Sequence, residues 1–178
     1  MRTVCLLCGF LTLVGMASAQ TGGTPPVPSP GDGPPPPVLP ETIARDVQGR
    51  ATVLAVRVST PMRIDGRLDE SVYTSVRPAS NFIQMEPQAG LEATEKTEVW
   101  VTFDDDNLYV SFKVWESDPS RVVANELRRD SNNIRQGDSV GFGFDTFRDR
   151  RNGFQFETNR LGARSEGQSA NERQFKLP

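Results

Sequence analysis

The chain contains no histidine, and both of its cysteines, Cys5 and Cys8, lie within the first nineteen residues. Without histidine, the Ser-His and Cys-His pairs of nucleophilic enzymes are excluded, and so are zinc sites built from cysteine and histidine. A product that has lost those first residues also has no cysteine from which to form a disulfide bond. Carboxylates, hydroxyls, lysine and arginine remain as the groups that can carry chemistry.

The N-terminal segment is typical of an export signal. In residues 1–19, Arg2 precedes an apolar run from Val4 to Met16, and Ala17-Ser18-Ala19 forms a small-residue cleavage site. The run is too short to span a bilayer, so we expect a signal peptide and an exported protein. Residues 20–49 are rich in proline and predict an extended linker, with an inert tail as the alternative.

The charge of the chain argues against a nucleic-acid partner. The formal net charge is −3, which gives no general attraction for phosphate backbones. Arginines are frequent between Arg121 and Arg173, but acidic residues are interspersed among them. We expect a mixed-charge surface over that stretch.

The segment from Thr97 to Trp115 predicts a β-hairpin around the acidic turn Asp104-Asp105-Asp106-Asn107. Side chains alternate between the two faces of a strand, and one register places Phe103 opposite Leu108 and Glu98 opposite Lys113. In that register the core face collects Val99, Val101, Phe103, Leu108, Val110, Phe112 and Val114. The opposite face, called the outer face below, collects Glu98, Trp100, Thr102, Tyr109, Ser111, Lys113 and Trp115.

The outer face carries three large aromatic rings among polar residues, on the side predicted to meet water. The rings of Trp100, Tyr109 and Trp115 would stack on the C–H faces of sugar rings. Neighbouring Glu98 and Lys113 would hydrogen-bond the sugar hydroxyls. The alternative is that another segment covers this face and makes the rings a second small core. The hairpin therefore predicts either a carbohydrate-binding surface or a buried layer.

The acidic turn is a candidate calcium site. Carboxylate oxygens are the ligands that calcium prefers, so Asp104 and Asp106 are candidate ligands of a structural calcium ion. A solvated turn is the alternative, because Asp and Asn favour turns through local hydrogen bonds. The turn also lacks the fuller ligand set of a dedicated calcium loop. We expect no required cofactor.

Other short segments on both sides of the hairpin predict further strands. They are Thr52–Ser59, Met62–Ile64, Asn81–Met85, Asp138–Phe147 and Gly153–Thr158, the last two joined by a charged turn over Arg148–Asn152. Leu68–Val76 predicts one or two helical turns, and Asp118-Pro119 a helix start. Many short strands separated by turns are typical of an antiparallel β-sandwich. The predicted fold class is therefore all-β, with the sandwich covering residues 50–178.

Six motifs occur in order along this region: Ile64-Asp65-Gly66-Arg67-Leu68-Asp69-Glu70, Thr97-Glu98-Val99, Asp104 to Val110, Asp138-Ser139-Val140, Asp145-Thr146-Phe147 and Arg150 to Phe154. In this order and spacing they resemble the family 9 carbohydrate-binding module, most closely the version at the N-terminus of large bacterial envelope proteins. The resemblance covers roughly residues 52–173. It implies a jelly-roll-like β-sandwich that binds sugars in support of polysaccharide breakdown, often with structural calcium. It also implies a place in the periplasm or at the outer membrane.

The chain departs from the family pattern at two positions. Sugar-binding members carry a tryptophan just before the strand predicted at Asp138, and this chain has Ile134-Arg135-Gln136-Gly137 there. The position after Ser139-Val140 is often acidic in the family and is Gly141 here. The family continues into further strands beyond the stretch that ends at Phe175, so we expect a domain truncated at its C-terminus.

The sequence predicts a binding module without catalytic residues. A glycosidase needs two carboxylates facing each other across a cleft, and no pattern in the chain brings two together. The predicted partner is an oligosaccharide or polysaccharide, and glycoside hydrolase activity is expected only from other parts of a parent protein. The alternative is an interaction or plug-like domain of an outer-membrane β-barrel protein, without a sugar site.

Overall fold

The structure is a computed structural model that describes residues 33–149, 151–170 and 173–176. The predicted signal peptide and residues 20–32 of the predicted linker lie outside the described residues. Within them the strands are β1 (Ile43–Arg45), β2 (Ala51–Val53), β3 (Val56–Arg57), β4 (Thr97–Phe103), β5 (Leu108–Val114), β6 (Ser139–Phe144), β7 (Gly153–Asn159), β8 (Arg164–Ala170) and β9 (Arg173–Lys176). A helix α1 (Val72–Ser75) and 3₁₀ turns over Pro119–Arg121 and Asn132–Gln136 complete the set. In the described ranges no helix has the length and apolar character needed to cross a membrane.

The hairpin of β4 and β5 has the register that the sequence predicts. Phe103 lies opposite Leu108, and Glu98 lies opposite Lys113 across the antiparallel ladder. The turn between the strands is closed by a backbone hydrogen bond of 3.0 Å from the nitrogen of Asp104 to the oxygen of Asn107. The prediction of this hairpin and of its pairing is confirmed.

The other edge of β4 is held by two separate segments. Strand β3 pairs with it in parallel and places Val56 opposite Thr102. Further along the same edge, Ala79 and Val99 exchange two backbone hydrogen bonds of 2.8 and 2.9 Å. The chain between β3 and Ala79 therefore starts and ends on β4. Tyr73 of α1, within this intervening chain, contacts Trp100 and Ser111, so the segment lies over the outer face of the hairpin.

Strand β1 lies inside the segment predicted as linker. It pairs antiparallel with β2, with Ile43 opposite Val53. Just before it, the buried hydroxyl of Thr42 donates a hydrogen bond of 2.9 Å to the carbonyl of Arg77. The folded part of the chain thus begins before Arg50, which is a correction to the predicted linker boundary at residue 49.

The second half of the chain forms a four-stranded antiparallel sheet in the order β6-β7-β8-β9. Strands β6 and β7 were predicted, and their antiparallel pairing agrees with the turn expected between them. Strands β8 and β9 were not predicted, because Arg164–Ala170 contains no large apolar residue and so shows no alternation of apolar and polar positions. Such a strand follows from its pairing with β7 rather than from its own pattern.

Aromatic rings link the two larger sheets. Phe142 of β6 stacks on Phe156 of β7 with ring centroids 5.3 Å apart, and Phe144 meets Phe142 edge-on at 5.3 Å. From the other sheet, Phe112 of β5 reaches Phe142 at 6.1 Å. The predicted all-β fold is confirmed, since the described structure is almost entirely strand and loop. The arrangement of the sheets as a sandwich stays a prediction.

Two segments predicted as strands are loops. Met62–Ile64 belongs to no strand, and Asn81–Met85 contributes only a single bridge, between Ile83 and Glu92. The predicted helical turns are confirmed in shorter form as α1. The predicted cap is also confirmed, because the Asp118 side chain accepts a hydrogen bond from the nitrogen of Ser120 at the start of a 3₁₀ turn.

Candidate functional site

Trp100, the centre of the predicted sugar-binding surface, is buried. Only 5% of it is exposed, and its indole Nε1 donates a hydrogen bond of 2.9 Å to the carbonyl of Val76. The ring of Tyr73 in α1 meets it edge-on, with centroids 5.3 Å apart. The prediction that Trp100 faces solvent is therefore wrong. The physical reason is that α1 and its flanking loops cover the outer face.

Tyr109 is also taken into internal contacts. The residue is half-buried, and its hydroxyl donates a hydrogen bond of 2.6 Å to Oδ2 of Asp104. That carboxylate holds the phenol proton and raises the pKa of Tyr109 above its ordinary value. Next to it, Thr102 is 1% exposed. This part of the outer face forms the second small core that the sequence left open as the alternative.

The other predicted sugar-binding residues meet at the far end of the hairpin. Trp115 is half-buried, and the ammonium groups of Lys96 and Lys113 lie 4.6 and 4.9 Å from its ring centroid. Lys96 also pairs with Glu98, whose carboxylate lies 2.7 Å from its Nζ. Glu98, Lys113 and Trp115 are thus brought together, with Lys96 as a member that the sequence did not indicate. Sugar binding by this group stays a prediction.

The carboxylate of Asp104 is occupied by its own turn. Oδ1 accepts hydrogen bonds from the backbone nitrogens of Asp106 and Asn107, at 2.9 and 2.7 Å, and Oδ2 accepts the Tyr109 hydroxyl. These bonds, above all the one from Tyr109, lower the pKa of Asp104. Among the described residues no three metal-ligating side chains come together. Calcium binding at Asp104 and Asp106 stays a prediction, and the geometry shows a turn held by hydrogen bonds.

A polar pocket opens on the four-stranded sheet, near the start of β6 and the end of β7. Its volume is about 320 Å³, at the lower end of the range for small-molecule sites. Its polar lining residues are Asn125, Glu126, Arg128, Asn133, Gln136 and Asn159. Because four of these six carry side-chain amides, we call it the amide pocket.

Glu126 fixes one wall of the amide pocket. It is 7% exposed, and its carboxylate accepts hydrogen bonds from Arg128 Nε and Nη2, at 3.0 and 2.9 Å, and from the Ser131 hydroxyl. These donors, Arg128 first, hold the pKa of Glu126 well below its ordinary value. The backbone oxygen of Glu126 accepts the Asn159 amide at 2.8 Å. A loop without regular structure is thereby held to the end of β7.

A close backbone contact positions the opposite wall. The nitrogen of Asp138 donates to the carbonyl of Val123 at 2.6 Å, and an Asp138 carboxylate oxygen accepts the nitrogen of Val123 at 2.7 Å. At Gly137 any Cβ would collide with the carbonyl of Val123. Glycine is therefore required there, because only it lets the two segments approach this closely.

Three amides of the pocket are exposed and uncommitted. Asn125, Asn133 and Gln136 are all exposed. Within the described part of the chain, their side-chain amides take part in no hydrogen bond. Each amide offers two N–H donors and one carbonyl acceptor. The pocket can therefore both donate to and accept from the hydroxyl groups of a ligand.

The sequence did not indicate these pocket residues. Asn125 and Asn133 lie in an irregular stretch with no periodic pattern, where a hydrogen-bonding amide is indistinguishable from a solvated one. The one available signal was positional. The resemblance places a sugar-contacting residue of the family just before β6, and Gln136 lies there. The family has an aromatic residue at this point, whereas this chain has a hollow lined by side-chain amides.

Comparison of the chain with protein-family models, with curated proteins and with solved structures found no match. The likeness to the family 9 carbohydrate-binding module therefore stays a prediction from sequence motifs.

Proposed function

We propose that the chain is a non-catalytic carbohydrate-binding module and that the amide pocket holds the sugar. The observation that carries this proposal is the set of three exposed, uncommitted side-chain amides around a hollow of about 320 Å³. Its place just before β6 agrees with the sugar-contacting position implied by the family resemblance. As proposed, the module serves an exported or outer-membrane-associated protein involved in polysaccharide breakdown.

The chemistry of the lining suits a neutral polyol. A sugar hydroxyl is both a donor and an acceptor, and the side-chain amides of Asn125, Asn133 and Gln136 present both functions. Glu126 and Arg128 neutralise each other in the wall, since Nη2 of Arg128 lies 2.9 Å from the carboxylate. The wall is held in place by this network before any ligand arrives, which lowers the entropic cost of binding.

Binding at such a pocket is expected to be weak. No aromatic ring is among the described residues that line it, so these residues do not offer the stacking that contributes much of the affinity in many sugar sites. Exposed amides also exchange water for ligand with little net gain, about 0.5–1.5 kcal/mol for each hydrogen bond. We expect a dissociation constant on the order of 1 mM.

The same lining argues for binding rather than hydrolysis. Glycoside hydrolysis needs a pair of carboxyl groups across the scissile bond. Among the described lining residues, Glu126 is the single carboxylate. Its oxygens already accept hydrogen bonds from Arg128 and Ser131. A carboxylate engaged in this way is a structural group of the wall.

Calorimetry on the 178-residue chain tests the proposal. The probes are glucose, xylose and mannose with their β-1,4-linked disaccharides. Asn133→Ala should weaken binding roughly threefold to tenfold, because it removes one or two hydrogen bonds. The matched control is Asn132→Ala, which changes the exposed neighbour that does not line the pocket. The proposal is rejected if none of the sugars binds, or if the two substitutions change the affinity equally.

A second candidate function is an interaction domain of an outer-membrane protein. The loop that follows Asn81 exposes large apolar side chains: Ile83 is 48%, Met85 83% and Leu91 54% exposed. Contiguous exposed apolar residues are typical of contact surfaces. On this alternative the sugar panel is silent, and Met85→Ser reduces the fraction of the exported protein that sediments with outer membranes. Unchanged sedimentation of Met85→Ser would reject it.

A further inference from the structure

The polar face of β7 continues from the amide pocket along the four-stranded sheet. The ring of Phe156 packs into the aromatic cluster against Phe142, so the alternate residues Gln155, Glu157 and Asn159 lie on the opposite face. Asn159 lines the amide pocket. Gln155 lies four residues from it on the same strand, a separation of about 13 Å. Pocket and Gln155 therefore belong to one face.

Glu157, which lies between them, joins the pocket to this face. Its carboxylate accepts a hydrogen bond of 2.7 Å from Arg135 in the 3₁₀ turn that lines the pocket, and one of 2.9 Å from the hydroxyl of Ser139 on β6. Its side chain is 13% exposed. Both carboxylate oxygens are thus engaged, and the stretch between the pocket and Gln155 is a fixed polar surface.

Gln155 stands between two glycines. Gly143 of β6 and Gly167 of β8 are its cross-strand neighbours, and a Cβ built on Gly143 would lie 3.6 Å from Cγ of Gln155. The positions directly opposite Gln155 on both neighbouring strands therefore have no side chain. Within the described ranges the amide of Gln155 has no hydrogen-bond partner. A flat ligand lying on this face would meet a free donor and acceptor at this point.

We propose that the ligand is an extended glycan chain, which enters the amide pocket with one unit and is hydrogen-bonded again by Gln155. This inference rests on the proposed function. A single sugar unit is shorter than the separation of about 13 Å between Asn159 and Gln155. Only a chain of several units can make both sets of contacts. The module therefore selects polysaccharide chains over free monosaccharides.

The test measures affinity against chain length by calorimetry on the 178-residue chain. The probes are β-1,4-linked glucose, xylose and mannose series of one to six units. We expect at least a tenfold gain in affinity from one unit to four or more in one series. Gln155→Ala and Gln155→Leu should each remove most of that gain and leave monosaccharide affinity unchanged. Leu retains most of the side-chain volume but cannot form the hydrogen bonds. A loss of affinity shared by both variants is therefore due to the missing hydrogen bonds and not to a packing defect in one of them.

The control is Gln168→Ala, on the neighbouring strand. Gln168 pairs with Phe154 and so lies on the aromatic face of the sheet, away from the proposed track. It should change neither mono- nor oligosaccharide affinity. If affinity is the same for all chain lengths while Asn133→Ala still weakens binding, the extended track is overturned and the proposed function stands. If no series binds, both are overturned.

Discussion

The indole N–H of Trp100 donates a hydrogen bond of 2.9 Å to the carbonyl oxygen of Val76. Val76 directly follows α1, so this bond fastens β4 to the segment that covers the outer face of the hairpin. Tyr73 of the same helix adds an edge-on ring contact and a hydrogen bond of 2.8 Å between its hydroxyl and that of Ser111 on β5. Trp100 therefore holds the fold together, and its position excludes contact with an external ligand.

Replacing Trp100 should lower the free energy of unfolding strongly. Trp100→Ala is expected to cost about 3–5 kcal/mol, because it removes a buried ring and leaves a cavity. Trp100→Phe is expected to cost less, about 1–3 kcal/mol, because the Val76 carbonyl loses its donor. Urea denaturation followed by circular dichroism measures both.

The control for these variants is Val114→Ala, at a position on β5 that is 55% exposed. It should change the free energy of unfolding by no more than about 0.5–1 kcal/mol. A Trp100→Ala variant as stable as Val114→Ala would contradict the buried role of the indole.

The local sequence pattern was enough to predict the hairpin, but not which of its two faces another segment covers. The register from Thr97 to Trp115 follows from alternation and a short turn, which are properties of neighbouring residues. The burial of Trp100 depends on Tyr73 and Val76, which lie more than twenty positions earlier in the sequence. Hydrophobic alternation cannot show which distant segment covers a face. The same limit explains why polar β8 was missed.

The candidate site was even less predictable. Asn125 and Asn133 acquire their place because Glu126 binds Arg128 and because Val123 pairs with Asp138. The first contact lies within one irregular loop, and the second joins two stretches that lie outside helix and strand. A sequence pattern identifies strands by their period, and an irregular loop has none. The pocket thus depends on hydrogen bonds within and between irregular loops, which leave no periodic signal in the sequence.

Removing divalent cations should leave the stability of the chain unchanged. The Asp104 carboxylate already accepts bonds from Asp106, Asn107 and Tyr109, so the turn needs no ion to hold it. Thermal unfolding with EDTA or with added calcium should give the same midpoint. Asp104→Ala should lower the midpoint several times more than Asp106→Ala, whose exposed side chain is uninvolved in those bonds. A midpoint that rises with calcium and loses that rise in both variants would instead establish the predicted calcium site.

Stability should fall at acid pH through Glu126. Its folded-state pKa lies well below the ordinary value of 4.5 because Arg128 and Ser131 donate to the carboxylate. A carboxyl group with a depressed pKa stabilises the fold at pH values above its unfolded pKa. That contribution is lost as the pH falls below about 4.5 and toward the folded pKa. Denaturation curves from pH 7 to pH 2 measure the loss.

Glu126→Gln should reduce this acid limb, the fall of the free energy of unfolding below about pH 4.5, because the variant has no carboxyl group to protonate at this position. At pH 7 the variant should be less stable than the parent chain. Glu92→Gln is the matched control, since Glu92 is exposed. It should reproduce the acid limb of the parent chain. An acid limb of equal steepness in Glu126→Gln would show that other carboxylates govern the acid response.

Trp115 provides the decisive comparison between the two candidate sugar sites. A sugar that stacks on a ring face covered by Lys96 or Lys113 must first displace that ammonium group, because the two groups lie 4.6 and 4.9 Å from the ring centroid. Displacing such a cation costs about 0.5–1 kcal/mol at an exposed site. Binding in the amide pocket carries no such cost. Trp115→Ala should therefore change sugar affinity by less than about twofold, whereas Asn133→Ala weakens it. Titration of both variants with one oligosaccharide measures these two effects. If Trp115→Ala weakens binding more than Asn133→Ala, the sugar site lies at the end of the hairpin, where Glu98 and Lys113 would contact the ligand.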